Sequence, residues 1–347
     1  MTLPLEAPAA PQAAPLPDFE ALHRRFPALG RFREQLGATT LREVPGPAGG
    51  ARILAKCEWE NPVGSVKDRV AYALVCAALE RHGDRPLGDL RILEYSGGNL
   101  ARALAHVGSL LGLAMRFVVP SVTPPSLLAD LRERGFAVTL VDREEGFLGT
   151  VRAAVALAEA EPEWTLLYQH RNDANRAFHA ATTGAELVAQ LAGATPAAWV
   201  ASIGTGGTLM GVRGPLAALN PALRTVGVTP AELPYGSPLP PNGLPKYTGA
   251  TGLGHGIRQP FVRPFDEVVE HRCVPHGDAL RGMARFLDET GLRIGSSASA
   301  NWLAAREVAR ELPGDALVLT VLPDAGSPED WQLVRSLDAD GPYQAVS

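Results

Sequence analysis

A lysine stands just behind a serine in the stretch NPVGSVKDR, residues 61 to 69. Ser65 is a favourable N-cap and Asp68 fits the capping-box spacing, so we expect a helix from Val66 to Gly83. Lys67 then lies in the first turn, where the helix dipole disfavours an ammonium and lowers the pKa of the amine. Such an amine can condense with an aldehyde and then act as a general base. For this fragment alone, a solvated lysine at a helix start is the alternative.

A glycine-rich loop, SIGTGGTLMG, follows an apolar strand at residues 202 to 211 and precedes a helical pattern. Backbone N–H groups at a helix N-terminus form a ready anion site, and threonine hydroxyls add donors. The loop is neither a Walker A motif nor a dinucleotide fingerprint. An ordinary glycine turn is the alternative. The candidate phosphate ligands are Gly204, Thr205, Gly206, Gly207 and Thr208.

Two further strand–loop–helix junctions carry polar side chains. In EYSGGNLARALA, residues 94 to 105, Asn99 stands at a helix start with an amide that can cap the helix or bind a ligand. In GLRIGSSASANWLAA, residues 291 to 305, Ser297 has the same two options. Capping alone would explain either residue.

Strand and helix patterns alternate along almost the whole chain, and helical periods such as 99–111 and 173–191 lie between the strands. This order predicts an α/β fold with mainly parallel, twisted sheets and helices on both faces. The length of 347 residues with 46% apolar residues favours two domains. The predicted strands are 52–58, 90–95, 115–120, 136–142, 164–168, 197–203, 224–230 and 316–324.

The composition narrows the class of partner. A net charge of −5 without basic runs disfavours nucleic-acid binding, and no apolar run has the length of a membrane span. Three cysteines without metal-ligand spacing favour reduced thiols in a cytoplasmic protein and no metal site. The composition of residues 1–17 is typical of a disordered extension. The irregular stretch 231–260, rich in proline and glycine, is expected at the mouth of an active site.

Together these segments resemble the cysteine synthase and cystathionine β-synthase family of pyridoxal-phosphate enzymes, the fold-type-II or tryptophan-synthase-β-like group. The resemblance runs in order from about Gly37 to Gly326. GATTLREV resembles the family's G-x-T-P-L, and KCEWENPVGSVKDRVA its K-x-E-x-x-N-P-x-x-S-x-K-D-R segment. LLYQHRNDANRAFHAATTGAEL resembles Q-x-x-N-x-x-N with T-T-G-x-E-I, GTGGT is intact, and GLRIGSS resembles G-I-x-x-G-x-S.

The resemblance implies a role for each candidate. Lys67 would form the Schiff base with pyridoxal 5'-phosphate, and the loop 204–208 would bind its phosphate. Asn99 would bind the phenolic oxygen, Ser297 the pyridine nitrogen, and Gln169 would stand beside the substrate carboxylate. The implied architecture has two three-layer domains. The smaller would span 57–171, the larger 18–56 with 172–335, and a tail would follow at 336–347.

Departures from the family pattern concern the substrate. In place of the family's T-S-G-N-T-G loop this chain has Ser96, Gly97, Gly98, Asn99, Leu100 and Ala101. Gly97 and Leu100 therefore replace a serine and a threonine whose hydroxyls would meet the substrate carboxylate. The donor therefore stays open. His255, in GLGHGI, stands where relatives have a small residue. We expect its side chain to enter the cleft and to bind an anionic leaving group or a larger nucleophile. A solvent-exposed loop histidine is the alternative.

The implied activity is β-substitution on a serine derivative through an aminoacrylate intermediate, with an amino acid and a nucleophile as small-molecule partners. A β-eliminating serine or threonine ammonia-lyase is one alternative, although its usual S-F-K-x-R-G and G-G-G-G-L segments do not occur here. A non-catalytic paralogue that binds a partner protein is another, but it would have no use for Lys67. The resemblance also implies a homodimer.

Overall fold

The computed structural model describes residues 16–237 and 256–339, which form two β-sheets flanked by helices. The strands are β1 Leu41–Val44, β2 Arg52–Cys57, β3 Arg91–Tyr95, β4 Ala114–Pro120, β5 Ala137–Val141, β6 Trp164–Leu166, β7 Ala198–Ser202, β8 Arg224–Pro230, β9 Val269–Val274 and β10 Leu317–Leu322. The helices are α1 Phe19–Arg25, α2 Pro27–Gln35, α3 Lys67–His82, α4 Asn99–Leu111, α5 Pro125–Glu133, α6 Gly146–Ala160, α7 Ala174–His179, α8 Ala185–Gln190, α9 Gly207–Leu219, α10 His276–Thr290, α11 Ser296–Arg310 and α12 Pro328–Ala339.

Both sheets are mainly parallel, which confirms the α/β class. One sheet has the order β5-β4-β3-β6 and the other β1-β2-β10-β7-β8-β9. Every pairing is parallel except that of β1 with β2. All eight strands predicted from the sequence are present, whereas the edge strands β1 and β9 were not predicted.

The four-stranded sheet is covered on both faces, because alternate residues of a strand point to opposite sides. Ile92 and Phe117 pack towards α3 and α4, together with residues of α1 and α2. Leu93 and Val118 pack on the other face against α6. This arrangement gives the first three-layer unit.

The six-stranded sheet has the same construction. Ile53 and Val318 belong to a core shared with α10 and α11. Trp199 and Leu319 belong to the opposite core, with α8 and α9. The carboxyl ends of the parallel strands are where loops and helix N-termini meet, as expected for ligand sites in open α/β sheets.

The lysine helix begins within one residue of its predicted start. The Lys67 N–H donates to Ser65 Oγ at 3.2 Å, while the Asp68 carboxylate accepts from the Val63 N–H at 2.6 Å. Most of the helix surface is buried, including large side chains such as Tyr72. Helix α3 is therefore a central helix of the fold.

A buried ionic cluster fixes α3 two residues beyond Lys67. The Arg69 guanidinium donates to Glu58 at 2.7 Å and to Glu186 at 2.6 Å, and the Lys56 ammonium lies 2.8 Å from Glu186. These contacts hold the pKa of the Glu186 carboxyl down at about 2 despite partial burial. The cluster ties α3 to β2 and α8, which positions the Lys67 backbone rigidly.

The helix expected over 173–191 contains a change of pitch. Helix α7 passes into one π-helical segment, Ala180–Gly184, before α8. Gly184 lies against α9, since a Cβ there would come within 2.8 Å of Pro215 Cγ. π-Helical turns often occur next to functional sites, and this one lies directly behind the glycine-rich loop.

The predicted domain limits remain a prediction. Helices α1 and α2 share a core with α3 and α4 of the four-stranded sheet, and α12 continues to Ala339, into the segment expected to be a tail. Residues 1–15, most of the expected extension, and 238–255, most of the irregular stretch, lie outside the described residues. Within 16–237 and 256–339, no helix has the length and apolarity needed to cross a membrane.

Candidate active site

Three of the four polar segments singled out from the sequence converge on one cavity. Lys67 and Asn99 line one side of it, and the glycine-rich loop after β7 lines another. The loop that follows β10 completes the wall through Pro323 and Asp324. Residues from both sheets therefore meet at the carboxyl ends of their strands. The lining residues are Val66, Lys67, Asn99, Ser202, Gly204, Thr205, Gly206, Thr208, Val321, Pro323 and Asp324.

The Lys67 amine has the lowered pKa that its position predicts. Burial lowers the pKa of Lys67 to about 8, and the negative charge of Asp324 partly opposes this change. The sequence suggested the helix dipole as the cause, whereas the structure adds burial of the amine in the cavity. A substantial fraction of the amine is consequently neutral near pH 8, the form that attacks a carbonyl.

Asp324 is a site residue that motif reading missed. Its Oδ2 accepts a hydrogen bond from Asn99 Nδ2 at 2.7 Å, and its Oδ1 accepts from the Gly326 N–H at 2.9 Å. Burial raises the pKa of the Asp324 carboxyl. The only signal in the sequence was an Asp at the carboxyl end of the last predicted strand, 316–324, a place where parallel strands present side chains to a ligand.

The loop that holds Asp324 also joins the other site segments. The Val66 N–H donates to Pro323 O at 2.9 Å, and the Gly295 N–H donates to Asp324 O at 3.0 Å. A Cβ at Gly295 would lie only 1.9 Å from Asp324 Oδ1. Trp331 holds the far end of this loop, because its indole N–H donates to Ala325 O at 2.8 Å.

The glycine-rich loop is shaped by close contacts that exclude side chains. Gly206 has φ +82°, and a Cβ there would approach Val262 Cγ2 to 2.5 Å. A Cβ at Gly207 would meet the Asn175 carboxamide oxygen at 2.3 Å. The Asn175 Nδ2 donates to Thr205 Oγ1 at 3.0 Å. The loop is therefore a preformed concavity at the N-terminus of α9, suited to an anion.

A buried histidine at the end of α7, directly before the π-helical segment, supports the same loop. One ring nitrogen of His179 lies 3.1 Å from Thr208 Oγ1, and the other lies 2.9 Å from Thr183 Oγ1. Burial lowers the pKa of His179 to about 3, so the imidazole is neutral at physiological pH. His179 was not predicted as a site residue, because only the fold brings it behind the loop.

Ser297 is buried in the first turn of α11, at 1% exposure, but it does not line the cavity. The residue two positions before it, Gly295, contacts Asp324 on the cavity wall. Ser297 therefore lies next to the cavity but does not line it, and its binding of the pyridine nitrogen stays a prediction.

The predicted substrate residues form a second group beside Asn99. Ser96, Gly97 and Gly98 are partly exposed, and the Gly98 N–H donates to Ser96 Oγ at 3.3 Å. Gln169 is buried, and its Nε2 donates to Tyr95 O at 2.8 Å. His255 lies outside the described residues.

Glu94 holds Gln169 in place and was not predicted as a site residue from the sequence. Its Oε2 accepts from the Gln169 backbone N–H at 3.3 Å, and burial raises the pKa of the Glu94 carboxyl to about 8. The neighbouring Tyr95 hydroxyl and His170 Nδ1 lie 2.7 Å apart, both buried. These buried hydrogen bonds hold the Gln169 carboxamide next to Tyr95 O.

The arrangement has a definite chemical capacity. A partly neutral amine, an anion cradle and an amide–carboxylate pair surround one small cavity. This donor set suits a ligand that carries both an aldehyde and a phosphate. No cluster of potential metal ligands occurs within 16–237 and 256–339.

Comparisons with known proteins agree with this chemistry. Residues 32–324 match the family model "Pyridoxal-phosphate dependent enzyme". A probable cysteine synthase of Bacillus subtilis is 32% identical over 284 residues, covering 81% of this chain and 88% of that protein.

Solved structures are similar over nearly the whole chain. A hydrogen sulfide-producing enzyme with an α-aminoacrylate intermediate has TM-score 0.77 and 26% identity, covering 92% of this chain and 94% of that one. O-ureido-L-serine synthase with its bound O-ureido-L-serine has TM-score 0.75 and 27% identity, covering 90% and 94%. The fold-type-II architecture and the cofactor, pyridoxal phosphate, are thereby confirmed. With its lysine, its phosphate cradle and the family model spanning most of its length, the chain belongs to the pyridoxal-phosphate-dependent enzymes.

Proposed function

We propose that this enzyme catalyses β-substitution on a serine derivative, releasing the β-substituent and adding a nucleophile. The observation that carries the proposal is the position of Lys67, whose amine has a pKa near 8 and shares one cavity with the glycine-rich loop. The similarity to a cysteine synthase, at 32% identity over most of both chains, supports this reaction class.

The residues present fit the cofactor. The preformed concavity of the loop 204–208 would hold the phosphate, and Lys67 would bind the aldehyde carbon covalently. Asn99 would donate to the phenolic oxygen, and Ser297 would face the ring nitrogen. When bound, pyridoxal phosphate withdraws electrons from the substrate and makes its Cα proton acidic.

The residues of the chain have separate tasks in this scheme. Once an incoming substrate amine has released it, the neutral Lys67 amine would take the Cα proton as a general base. The ammonium that results is stabilised by the negative charge of Asp324. Asp324 also accepts a hydrogen bond from the amide of Asn99, so one carboxylate orients that amide and favours the charged form of the lysine.

The donor need not be the one that cysteine synthases use. The backbone N–H groups of 96–99, with Gln169 and His255, are proposed to bind the substrate carboxylate and the incoming or departing group. The loss of the family's hydroxyls at Gly97 and Leu100 favours a different donor or nucleophile. The similarity to a structure of O-ureido-L-serine synthase supports a non-standard pair.

We propose a homodimer in the cytoplasm. The family resemblance supports the dimer, and the free thiols of Cys57, Cys76 and Cys273 are compatible with a reducing compartment. Sedimentation velocity and cell fractionation test the two statements.

A spectral screen tests the proposed reaction. Purified holoenzyme is titrated with serine, O-acetylserine and O-phosphoserine while its visible absorbance is followed, and products are identified after sulfide or a thiol is added. A new β-substituted amino acid is the expected product. Release of pyruvate and ammonia without substitution would establish the lyase instead. A protein without any spectral response to amino acids would be a binder rather than an enzyme.

A further inference from the structure

We propose that the Thr123 hydroxyl is a ligand of the substrate carboxylate and takes the place of the side-chain hydroxyl that position 97 lacks. The inference rests on the proposed function and names one further residue of its substrate site. It starts from Gly97, a partly exposed position in the loop between β3 and α4.

The facing segment fills the space next to Gly97. A Cβ added at Gly97 would lie 2.5 Å from Thr123 Oγ1 and 3.3 Å from Pro120 Cδ. Thr123 follows β4, and its own N–H donates to Pro120 O at 2.9 Å, which holds the turn in place. A side chain at 97 and the Thr123 hydroxyl therefore compete for the same space.

The Thr123 hydroxyl is buried without satisfying its hydrogen-bonding capacity. Thr123 is 5% exposed, and its Oγ1 has no partner among residues 16–237 and 256–339. Buried hydroxyls nearly always have a partner, and each exception calls for an explanation. An acceptor brought to the adjacent loop by a ligand would provide one.

The loop beside it is suited to a carboxylate. Gly97 and Gly98 are partly exposed and directly precede α4, whose N-cap Gly98 provides no side-chain cap, and a helix N-terminus favours an anion. A carboxylate bound there would lie against the Gly97 Cα, next to the Thr123 hydroxyl. The hydroxyl then donates one further, charge-assisted hydrogen bond.

The test compares Thr123→Val, which keeps the shape, with Thr123→Ser, which keeps the hydroxyl. Binding of a serine derivative to the holoenzyme is measured from the shift of its visible band. Thr123→Val should bind about ten- to a hundred-fold more weakly, as expected for loss of a hydrogen bond to a charged group. Thr123→Ser should recover most of the affinity, and cofactor content should be the same in all three proteins.

Two further measurements separate recognition from a packing defect. Thr123→Val should weaken binding of the amino acid but not of the matching amine without a carboxylate. Gly97→Ser combined with Thr123→Ala returns a hydroxyl to the loop and should bind the amino acid more tightly than Thr123→Ala alone. Binding by Thr123→Val within about twofold of the parent, or no gain in the double variant, would overturn the inference.

The two proposals fail in different ways. The spectral assay requires only that an amino acid binds. A parent enzyme that binds serine derivatives without forming a substituted product refutes the proposed function, and the Thr123 comparison can still be read. A parent that binds no amino acid refutes both.

Discussion

The Asn99 side chain donates a hydrogen bond to the Asp324 carboxylate, with 2.7 Å between Nδ2 and Oδ2. Asn99 begins α4 beside the four-stranded sheet, and Asp324 follows β10 of the six-stranded sheet. The contact therefore joins the two sheets at the floor of the cavity, next to Lys67. A single carboxylate adjusts both the orientation of Asn99 and the charge of the lysine.

Asp324→Asn should lower the pKa of Lys67 below its value of about 8, because the opposing negative charge is lost. Reactivity of a lysine amine rises with pH through its pKa, so the midpoint should move to lower pH. Competitive labelling of the apoprotein with an amine reagent measures this midpoint by mass spectrometry. The chain has only three lysines, and the fully buried, ion-paired Lys56 is an internal control. An unchanged or higher midpoint would contradict the role given to Asp324.

Lys67→Ala should remove the covalent bond to the cofactor and nearly all turnover, while the fold is kept, since alanine is well tolerated in a first turn. Mass spectrometry after borohydride reduction should find cofactor attached to the parent at residue 67 and to no residue of the variant. Lys67→Arg is the matched control, because it keeps a cation but cannot form the bond. Turnover near the parent rate in either variant would rule out the central assignment.

Glu186→Gln should destabilise the protein by about 3–5 kcal/mol at pH 7, because it leaves Arg69 and Lys56 buried beside an uncharged partner. Chemical denaturation measures the loss. The Glu186 carboxyl has a folded pKa of about 2, below the unfolded value of about 4.3. Its stabilising charge is therefore fully present above pH 4.3 and is lost as the pH falls towards 2, so acid should narrow the gap between parent and variant.

A surface pair provides the control for that measurement. Glu43→Gln breaks the exposed contact with Arg52, whose two side chains are 55% and 61% exposed. Exposed ion pairs contribute little to stability, and the variant should unfold close to the parent. Equal losses in both variants would show that the Arg69 cluster has no special role.

His179→Leu should weaken retention of the cofactor about two- to tenfold, because Thr208 loses the hydrogen bond that orients it. Equilibrium dialysis of reconstituted enzyme against pyridoxal phosphate measures the change. Thr183→Val removes only the second partner of the ring and should have a smaller effect. Unaltered cofactor affinity in His179→Leu would show that the loop needs no support from α7.

The family of the enzyme could be predicted from local sequence alone. Lys67, the loop 204–208 and Asn99 each occur in short motifs whose strand–loop–helix context depends on neighbouring residues. The interior strands were predictable for the same reason, since a buried parallel strand is apolar along its length. The strands β1 and β9 lie at the edges of the six-stranded sheet and were missed because their sequences, LREV and VEHRCV, contain several charged or polar residues. The edge strands of the other sheet, β5 and β6, have more apolar sequences and were predicted.

Tertiary structure alone decided which distant residues meet at the site. Asp324 reaches Asn99 across 225 positions of sequence, and Arg69 reaches Glu186 across 117. Thr123 lies against Gly97 because β3 and β4 are parallel neighbours whose carboxyl ends share one edge. No periodicity or motif encodes such contacts, since they depend on strand order and on the packing of two sheets around one cavity. Lys67 could thus be singled out from the sequence, whereas its charge partner Asp324 and the proposed carboxylate ligand Thr123 became visible only in the folded chain.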